Sequence, residues 1–374
     1  MSDHAPTPAG SEGAPLAAVV LAAGEGRRMQ SERPKPLHRL CGQPMLMYVL
    51  GSLADTDASR AVIVVGHKGD RVAKKLLEHD HSIKIEFVEQ QVQRGTGDAA
   101  LVGLVGLPDD DRDDGDVLVM PGDAPLLRPS TIAALVAHHR STGAAATLLT
   151  AVMADPTGYG RVIRGANGTV SSIVEHGDAT PEQLDVDEIN TSIYCFRRSL
   201  LAPALRRVQP DNAQGEYYLT DVVGVLTQAG HRVEAVIAPD AAETQGVNDR
   251  VQLAAAESEL RRRTNESLLR SGVTMLDPTS VYVDTTVQVG QDVTLFPGVI
   301  LQGSTIIGDG TELGPNTRLV DCHVGDQCTM EQTTARSARF GDRCTVGPYA
   351  SFGPGADIPS DVTTGPFYTA DTAT

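Results

Sequence analysis

A six-residue hydrophobic repeat occupies roughly the last hundred residues of the chain and restricts its fold more than any other feature. A period of six fits neither an α-helix nor a single β-strand, whose side chains repeat every 3.6 and 2.0 residues. It is typical of a parallel β-helix in which each coil has three flat faces with one inward aliphatic residue per face. The repeat continues after a one-residue slip at Val324, and its inward positions are Val283, Val289, Leu295, Leu301, Ile307, Leu313, Leu319, Phe340, Val346, Phe352 and Ile358.

The length of this repeat and its glycines give two further expectations. At about 18 residues per coil, residues 280–364 predict between four and five coils. Glycine often follows the inward residue, as in Ile307-Gly308 and Val324-Gly325. Because glycine adopts backbone conformations that other residues avoid, we expect these glycines to form the corners of the coils.

The residues before the repeat have a different pattern, in which short β-branched runs alternate with helical segments. This alternation predicts a parallel sheet with helices on both faces. A longer helix is expected over 251–270, with Asn248 or Asp249 as its cap and Gly272 at its end. The predicted strands are Leu16–Leu21, Ala61–Val65, Lys84–Val88 and Asp116–Met120, and the helical segments between them include Pro44–Leu53 and Arg71–Glu78.

These patterns divide the 374 residues into two domains, as expected for a chain longer than about 250–300 residues. We expect a flexible tail at 1–14, an α/β domain at 15–250, a linker helix at 251–272, a β-helix at 273–364 and a second tail at 365–374.

Composition and charge exclude several classes of protein. The longest apolar run, Leu16–Ala23, is too short to span a membrane and no basic residue other than histidine precedes it, so we expect a cytoplasmic protein. Five cysteines without a CxxC pair favour reduced thiols. A net charge of −17 disfavours nucleic acid and anionic membranes as partners. A phosphate ligand would therefore need a local basic cluster.

Such a cluster follows the first predicted strand. The loop from Ala22 to Met29 contains Gly24 and Gly26, and residues 22–40 include five basic side chains but only Glu25 and Glu32 as acids. The loop is neither a Walker motif nor a dinucleotide fingerprint, since no GK[ST] follows and Met29 replaces the third glycine. Glycine amides and cationic side chains suit a triphosphate, although a surface loop with incidental charge would have the same composition.

Asp123 follows the fourth predicted strand and should lie at the same sheet edge as the glycine loop. A carboxylate there could bind a divalent cation or cap the helix expected near Pro129. The phosphate loop opposite favours the cation, since phosphate-bound Mg²⁺ needs only one or two protein ligands.

Together, these motifs resemble those of the bacterial bifunctional N-acetylglucosamine-1-phosphate uridyltransferase/glucosamine-1-phosphate acetyltransferases. The resemblance implies an α/β Rossmann-like nucleotidyltransferase domain followed by a short left-handed parallel β-helix. The matching segments are Leu21–Met29 with Pro34-Lys35, Gly95–Gly97, Gly122-Asp123, Gly158–Arg161, Ile173–His176, Glu188–Thr191, Gly215–Asp221 and Gly246–Arg250.

The resemblance also implies a role for individual residues. Nucleotide binding falls to Leu21, Ala22, Ala23, Gly24, Lys35, Gln90, Gly95, Thr96, Gly122 and Asp123, of which Gln90, Gly95 and Thr96 contact the uracil. Sugar binding falls to Gly160, Glu175, Asn190, Thr191 and Asn248. The implied catalytic residues are Arg28, Lys35 and Asp123, and the implied ligands of Mg²⁺ are Asp123 and Asn248.

The implied reaction joins UTP to N-acetylglucosamine 1-phosphate and gives UDP-N-acetylglucosamine, a peptidoglycan precursor for the cell wall, and pyrophosphate. Three alternatives stay open: another sugar 1-phosphate such as glucose 1-phosphate, a non-catalytic regulatory protein that binds sugar nucleotides, and acyl transfer alone. Hexapeptide β-helices commonly trimerise, so a homotrimer is a further expectation.

Some positions depart from the family pattern. Glu25, Pro121 and Ser192 replace residues common near the nucleotide or the sugar. In the β-helix, Gly353 stands where the family has an arginine of the acetyltransferase site, no lysine follows Lys84, and the sequence stops at Thr374. We therefore expect no acetyltransferase activity.

Overall fold

The computed structural model describes residues 15–66, 68–79, 82–108 and 115–370. The expected tail at 1–14 and the last four residues of the expected tail at 365–374 lie outside these ranges. The chain forms two compact units. Of the described residues, those in 15–37 and 46–248 form the first unit, and those in 38–45 and 249–370 form the second.

The first unit is built on one nine-stranded sheet. Its strands are β1 (Leu16–Ala22), β2 (Ala58–Val65), β3 (Lys84–Glu89), β4 (Asp116–Pro121), β5 (Ala146–Val152), β6 (Arg161–Arg164), β7 (Val170–Val174), β8 (Glu188–Arg197) and β9 (Val233–Ile237). The main strand order is β9-β5-β8-β4-β1-β2-β3, with β6 paired to β8 and to β7. Strands β1 to β4 confirm the predicted parallel sheet, whereas β8 runs antiparallel between β4 and β5.

Helices connect these strands: α1 (Met45–Gly51), α2 (Gly69–Leu76), α3 (Thr96–Val105), α4 (Pro129–Thr142), α5 (Pro181–Leu184), α6 (Arg198–Leu205) and α7 (Asp221–Gln228). Side chains alternate between the two faces of the sheet, and each face has its own core. Val19 and Val119 belong to one core, whereas Val20 and Met120 belong to the other. Both faces are covered, which explains why these strands are almost continuously apolar.

In the second unit, helix α8 (Arg250–Arg270) precedes the repeat. Asp249 is its N-cap, and the Asp249 carboxylate accepts a hydrogen bond of 2.8 Å from the Gln252 amide. A hairpin of Arg39–Leu40 and Gln43–Pro44 also belongs to this unit. The Cys41 amide there donates to the Glu257 carboxylate at 2.8 Å. No helix in the described part of the chain is both long and apolar enough to cross a membrane.

The repeat folds into three parallel sheets of six, six and five strands, consistent with the predicted left-handed β-helix. The strands are β10 (Thr274–Met275), β11 (Tyr282–Val283), β12 (Gln288–Val289), β13 (Thr294–Leu295), β14 (Ile300–Gln302), β15 (Ile306–Ile307), β16 (Glu312–Leu313), β17 (Arg318–Val320), β18 (His323–Val324), β19 (Thr329–Met330), β20 (Thr334–Arg336), β21 (Arg339–Phe340), β22 (Thr345–Val346), β23 (Ser351–Phe352), β24 (Asp357–Ile358), β25 (Thr363–Thr364) and β26 (Thr369–Ala370). The stack is longer than the four to five coils expected, because Met275 and Ala370 extend it beyond the aliphatic pattern.

The glycines after the inward residues have a different role from the predicted one. Gly308 and Gly325 do not adopt the left-handed conformation; Gly310 and Gln327, two residues further on, do so instead. A Cβ atom on Gly308 would lie 2.5 Å from the carbonyl carbon of Gly325 in the next coil. These glycines are therefore required by the close approach of neighbouring coils.

The β-helix core generates a stability prediction. Phe340 is buried, and its ring meets the ring of Phe352 edge-on with centroids 4.8 Å apart. Phe340→Ala should lower the free energy of unfolding by about 3–5 kcal/mol, because it leaves a cavity between coils. Phe367→Ala is the matched control, since Phe367 is 72% exposed. Guanidinium unfolding followed by circular dichroism measures both variants, and equal losses would contradict this account of the core.

Candidate functional site

A cavity of about 490 Å³ lies in the first unit, where the carboxyl ends of β1 and β4 meet the loops that follow them. Open α/β sheets commonly bind ligands at this edge. Of the residues assigned from the sequence, the cavity wall includes Leu21, Ala23, Gly24, Gln90, Gly95, Thr96, Asp123, Glu175, Asn190, Thr191 and Asn248.

At one end of the cavity, the ammonium group of a lysine contacts two oxygen acceptors. The Lys35 ammonium forms an ion pair with the Asp123 carboxylate and donates to Asn248 Oδ1 at 2.8 Å. The Lys35 side chain is only 12% exposed. Three segments far apart in the sequence therefore converge on one point.

Backbone contacts fix this convergence. The Val247 amide donates to the Asp123 carbonyl at 2.8 Å, which joins the loop after β4 to the loop that carries Asn248. Gly26 has a φ of 63°, and a Cβ atom there would lie 2.8 Å from the Lys35 Cβ. Any larger residue at position 26 would therefore be strained and would crowd the lysine.

The chemistry of this donor set fits a divalent cation. Asp123 and Asn248 contribute a carboxylate and an amide oxygen, which are ligands that hard divalent cations accept. Among the residues that the structure describes, no three His, Cys, Asp or Glu side chains cluster in a way that could hold a metal. Two protein oxygens suit a cation that takes its other ligands from phosphates and water.

A second part of the wall surrounds Gln90, which is buried just after β3. Gln90 Nε2 donates to the Gly95 carbonyl at 3.3 Å and to Asp98 Oδ2 at 2.8 Å. The Thr96 hydroxyl oxygen accepts from the Leu219 amide at 3.0 Å, and the Gly97 amide donates to the Tyr217 carbonyl at 2.7 Å. These bonds hold the Gly95–Gly97 loop in place.

A third part of the wall contains Glu175, whose carboxylate accepts a hydrogen bond of 3.1 Å from the Thr220 hydroxyl. Burial raises the pKa of Glu175 above its ordinary value, and repulsion from Asp221 and Asp178 adds to this shift, while the Thr220 hydrogen bond opposes it. A Cβ atom on Gly160 would lie 3.3 Å from Glu175 Oε2. Gly160 therefore leaves room for this carboxylate.

Asn190 also lines the cavity, at an irregularity in the pairing of β8 with β5. Its Nδ2 donates to the Tyr194 hydroxyl at 2.7 Å, and its Oδ1 accepts from the Ser192 amide at 3.3 Å. Ser192 has a φ of 62°, in the left-handed region that glycine adopts most readily. The Thr191 hydroxyl donates to the Leu149 carbonyl at 2.6 Å, which anchors the irregularity to β5.

Other assigned residues lie off the cavity wall. Gly122 packs against Ala22, and a Cβ atom on Gly122 would lie 2.9 Å from the Ala22 Cβ. Arg28 is exposed on a short 3-10 helix, Arg27–Met29. The predicted basic cluster is not directed at a single point: Arg27 pairs with Glu25, which raises the pKa of Arg27. Arg39 belongs to the second unit.

Among the cavity-lining residues without a role predicted from the sequence are Gln93, Thr220 and Tyr194. Gln93 Nε2 donates to the Ala23 carbonyl at 2.6 Å and so supports the glycine loop. Thr220 lies in one of the matching segments and could have been singled out there. Gln93 and Tyr194 have no comparable sequence signal, because their role depends on which backbone or side chain they meet.

The chain is similar to known nucleotidyltransferases. Residues 18–221 match the MobA-like NTP transferase domain family. The bifunctional protein GlmU of Thermobifida fusca is 48% identical over 330 residues, covering 87% of this chain and 67% of that protein. The GlmU protein of Mycolicibacterium vanbaalenii is 44% identical over 360 residues, covering 96% of this chain and 73% of that protein.

A solved structure supports the fold. The crystal structure of UDP-glucose pyrophosphorylase complexed with UDP-glucose superposes with a TM-score of 0.55 at 14% identity. The match covers 67% of this chain and 99% of that one. At this identity, the likeness concerns the fold alone.

The raised pKa of Glu175 predicts that this residue lowers the stability of the folded protein in a pH-dependent way. A carboxylate whose pKa is raised by folding destabilises the folded state above that pKa, and the penalty disappears as the pH falls below the ordinary value of 4.5. Glu175→Gln should therefore raise the melting temperature at pH 7–8 and have little effect near pH 4. Thermal unfolding across this range measures the difference. Glu182→Gln is the control, because Glu182 is exposed and its pKa is lowered; a pH-independent effect at Glu175 would contradict the prediction.

Proposed function

The chain belongs to the bifunctional GlmU family and is a nucleotidyltransferase, and from this premise we propose that it makes UDP-N-acetylglucosamine from UTP and N-acetylglucosamine 1-phosphate. The observation that carries the proposal is the meeting of Lys35, Asp123 and Asn248 at one end of a cavity whose wall also holds Gln90 and Glu175. The end that contains Lys35, Asp123 and Asn248 suits the phosphates of the two substrates. The Gln90 amide suits the base, and the Glu175 carboxylate suits the sugar.

The proposed reaction is a single in-line displacement. An oxygen of the sugar phosphate attacks the α-phosphorus of UTP, a new P–O bond forms, and the bond to pyrophosphate breaks. The nucleophile is already an oxyanion, so no general base has to remove a proton. The main task of the protein is to position two polyanions and to neutralise their charge.

Two cationic side chains and one divalent cation would share this neutralisation. The Lys35 ammonium can exchange its contacts with Asp123 and Asn248 for contacts with phosphate oxygens, while Arg28 provides a second, exposed cation from the glycine loop. Mg²⁺ is the divalent cation that we propose for Asp123 and Asn248; when bound, it would act as a Lewis acid on the phosphate oxygens. The amides of the glycine loop add partial positive charge.

N-acetylglucosamine 1-phosphate is proposed in preference to other sugar phosphates. Glu175 can accept hydrogen bonds from ring hydroxyls, and the amide of Asn190 can both donate and accept. Both groups line the cavity together with Thr191, and Gly160 leaves room for the Glu175 carboxylate. Glucose 1-phosphate is the alternative, because its hydroxyls could engage the same carboxylate.

We also propose that the β-helix described here does not transfer acetyl groups. Gly353 occupies the turn where the family has an arginine, and the β-helix residues contain no lysine. These coils therefore lack both the arginine of that turn and any lysine that could bind a sugar phosphate and acetyl-CoA. A cytoplasmic location and assembly into a homotrimer stay predictions.

The proposal predicts that pyrophosphate is released from UTP when Mg²⁺ and N-acetylglucosamine 1-phosphate are present. The assay compares this sugar with glucose 1-phosphate and glucosamine 1-phosphate at equal concentrations, because the acetamido group should contribute to recognition. We expect kcat/KM to be highest for N-acetylglucosamine 1-phosphate. Preferential turnover of glucose 1-phosphate would favour the alternative, and no turnover of any sugar would contradict the proposal.

The same assay, supplied with acetyl-CoA and glucosamine 1-phosphate, tests the acetyl-transfer step. We expect no release of free coenzyme A thiol above the background rate. Release that depends on glucosamine 1-phosphate would show that the β-helix has an acetyltransferase site that lacks the family's arginine.

A further inference from the structure

We propose that Asp98 determines nucleotide specificity by holding the Gln90 side chain in one orientation. This inference rests on the proposed function, because it concerns the base of the nucleotide that the cavity would bind. Asp98 lies in the first turn of α3, directly after the Gly95–Gly97 loop. It belongs to none of the residue sets assigned from the sequence.

The hydrogen bonds around Gln90 leave only one orientation of its amide. Gln90 Nε2 lies 2.8 Å from Asp98 Oδ2 and 3.3 Å from the Gly95 carbonyl oxygen. A carboxylate and a backbone carbonyl can only accept hydrogen bonds, so the amide nitrogen has to face both of them. The amide oxygen, Oε1, is therefore the atom of this group that can face the cavity, whose wall includes Gln90.

Asp98 is itself fixed. Its other oxygen, Oδ1, lies 3.0 Å from Arg94 Nη2, and its side chain is 11% exposed. Its place in the first turn of a helix favours a negative charge, because the helix dipole is positive there. Two interactions, one with Arg94 and one with the positive end of the helix dipole, therefore stabilise the Asp98 carboxylate that faces Gln90.

A fixed acceptor on the cavity wall discriminates between pyrimidines. Uracil has an N–H donor at ring position 3, whereas cytosine has an acceptor there. An unrestrained glutamine could rotate its amide by 180° and offer nitrogen to cytosine. Next to Asp98, this rotation would place the amide oxygen against the carboxylate and the Gly95 carbonyl. The rotation is therefore blocked, and a base without the ring N–H leaves two acceptors facing each other.

The test is Asp98→Asn in the full chain. The substituted side chain can present an amide nitrogen of its own to Gln90, so only the longer contact of 3.3 Å with the Gly95 carbonyl still opposes the rotated orientation. Calorimetric titration with UTP and with CTP, in the presence of Mg²⁺, should show the preference for UTP falling by about tenfold or more, partly through stronger binding of CTP. Asp98→Ala should shift the ratio in the same direction, because it removes the acceptor without adding a donor.

Arg94→Ala is the matched control. It removes the exposed partner of Asp98 but leaves the carboxylate beside Gln90, so the ratio of UTP to CTP affinity should stay within about twofold of wild type. Equal losses for UTP and CTP in both Asp98 variants would overturn the inference, because a purely structural role weakens all nucleotides alike. A wild-type protein that binds neither nucleotide would overturn the proposed function and this inference together, whereas an unchanged preference in the variants overturns the inference alone.

Discussion

The contact of the Lys35 ammonium with Asp123 and Asn248 is the interaction on which the rest of the site depends. These residues are 88 and 213 positions from the lysine, so only the completed first unit can bring them together. Asp123 follows a central strand of the sheet. The hydrogen bond from the Val247 amide to the Asp123 carbonyl fixes the position of the neighbouring Asn248. Without this arrangement, the cavity would lack a defined end for the phosphates and the metal that we propose bind there.

The edge of the sheet explains how the charged and polar groups are distributed along the cavity. The parallel strands β1 to β4 direct the glycine loop, Gln90 and Asp123 to one side, whereas the antiparallel β8 brings Asn190 from the opposite direction. Lys35 and Asp123 therefore lie at the end proposed to bind the phosphates, and burial raises the pKa of Glu175 on another part of the wall. Such a carboxylate costs stability, and a requirement for sugar binding would explain why it is retained.

Periodicity predicts the framework of this protein well. The six-residue repeat indicates a β-helix because an inward side chain every six residues has no other simple solution, and β-branched runs at Leu16–Leu21 and Asp116–Met120 indicate the parallel sheet. The repeat does not reveal why Gly308 is required, because the clash that excludes a Cβ atom involves the next coil. Nor does it reveal that residues 38–45 belong to the second unit, since their contacts form with residues more than 200 positions away.

Site residues divide in the same way. Motifs point to Lys35, Asp123 and Glu175, because each follows a recognisable strand or loop. No motif points to Asp98, because its proposed effect on specificity depends on the contacts of Gln90 Nε2 with the Asp98 carboxylate and the Gly95 carbonyl. Ser192 is understood only once its left-handed backbone is seen. Residues that act through a neighbour are therefore the ones that sequence patterns miss.

Asp123 and Asn248 are proposed to hold a cation that binds the phosphates of the nucleotide. Calorimetric titration of UTP with Mg²⁺ and with EDTA tests this proposal most directly. In wild type we expect Mg²⁺ to strengthen UTP binding by about tenfold or more, and we expect this gain to be lost in Asp123→Ala and in Asn248→Ala but kept in Asp211→Ala, a change at an exposed carboxylate. A full gain from Mg²⁺ in both site variants would contradict the account.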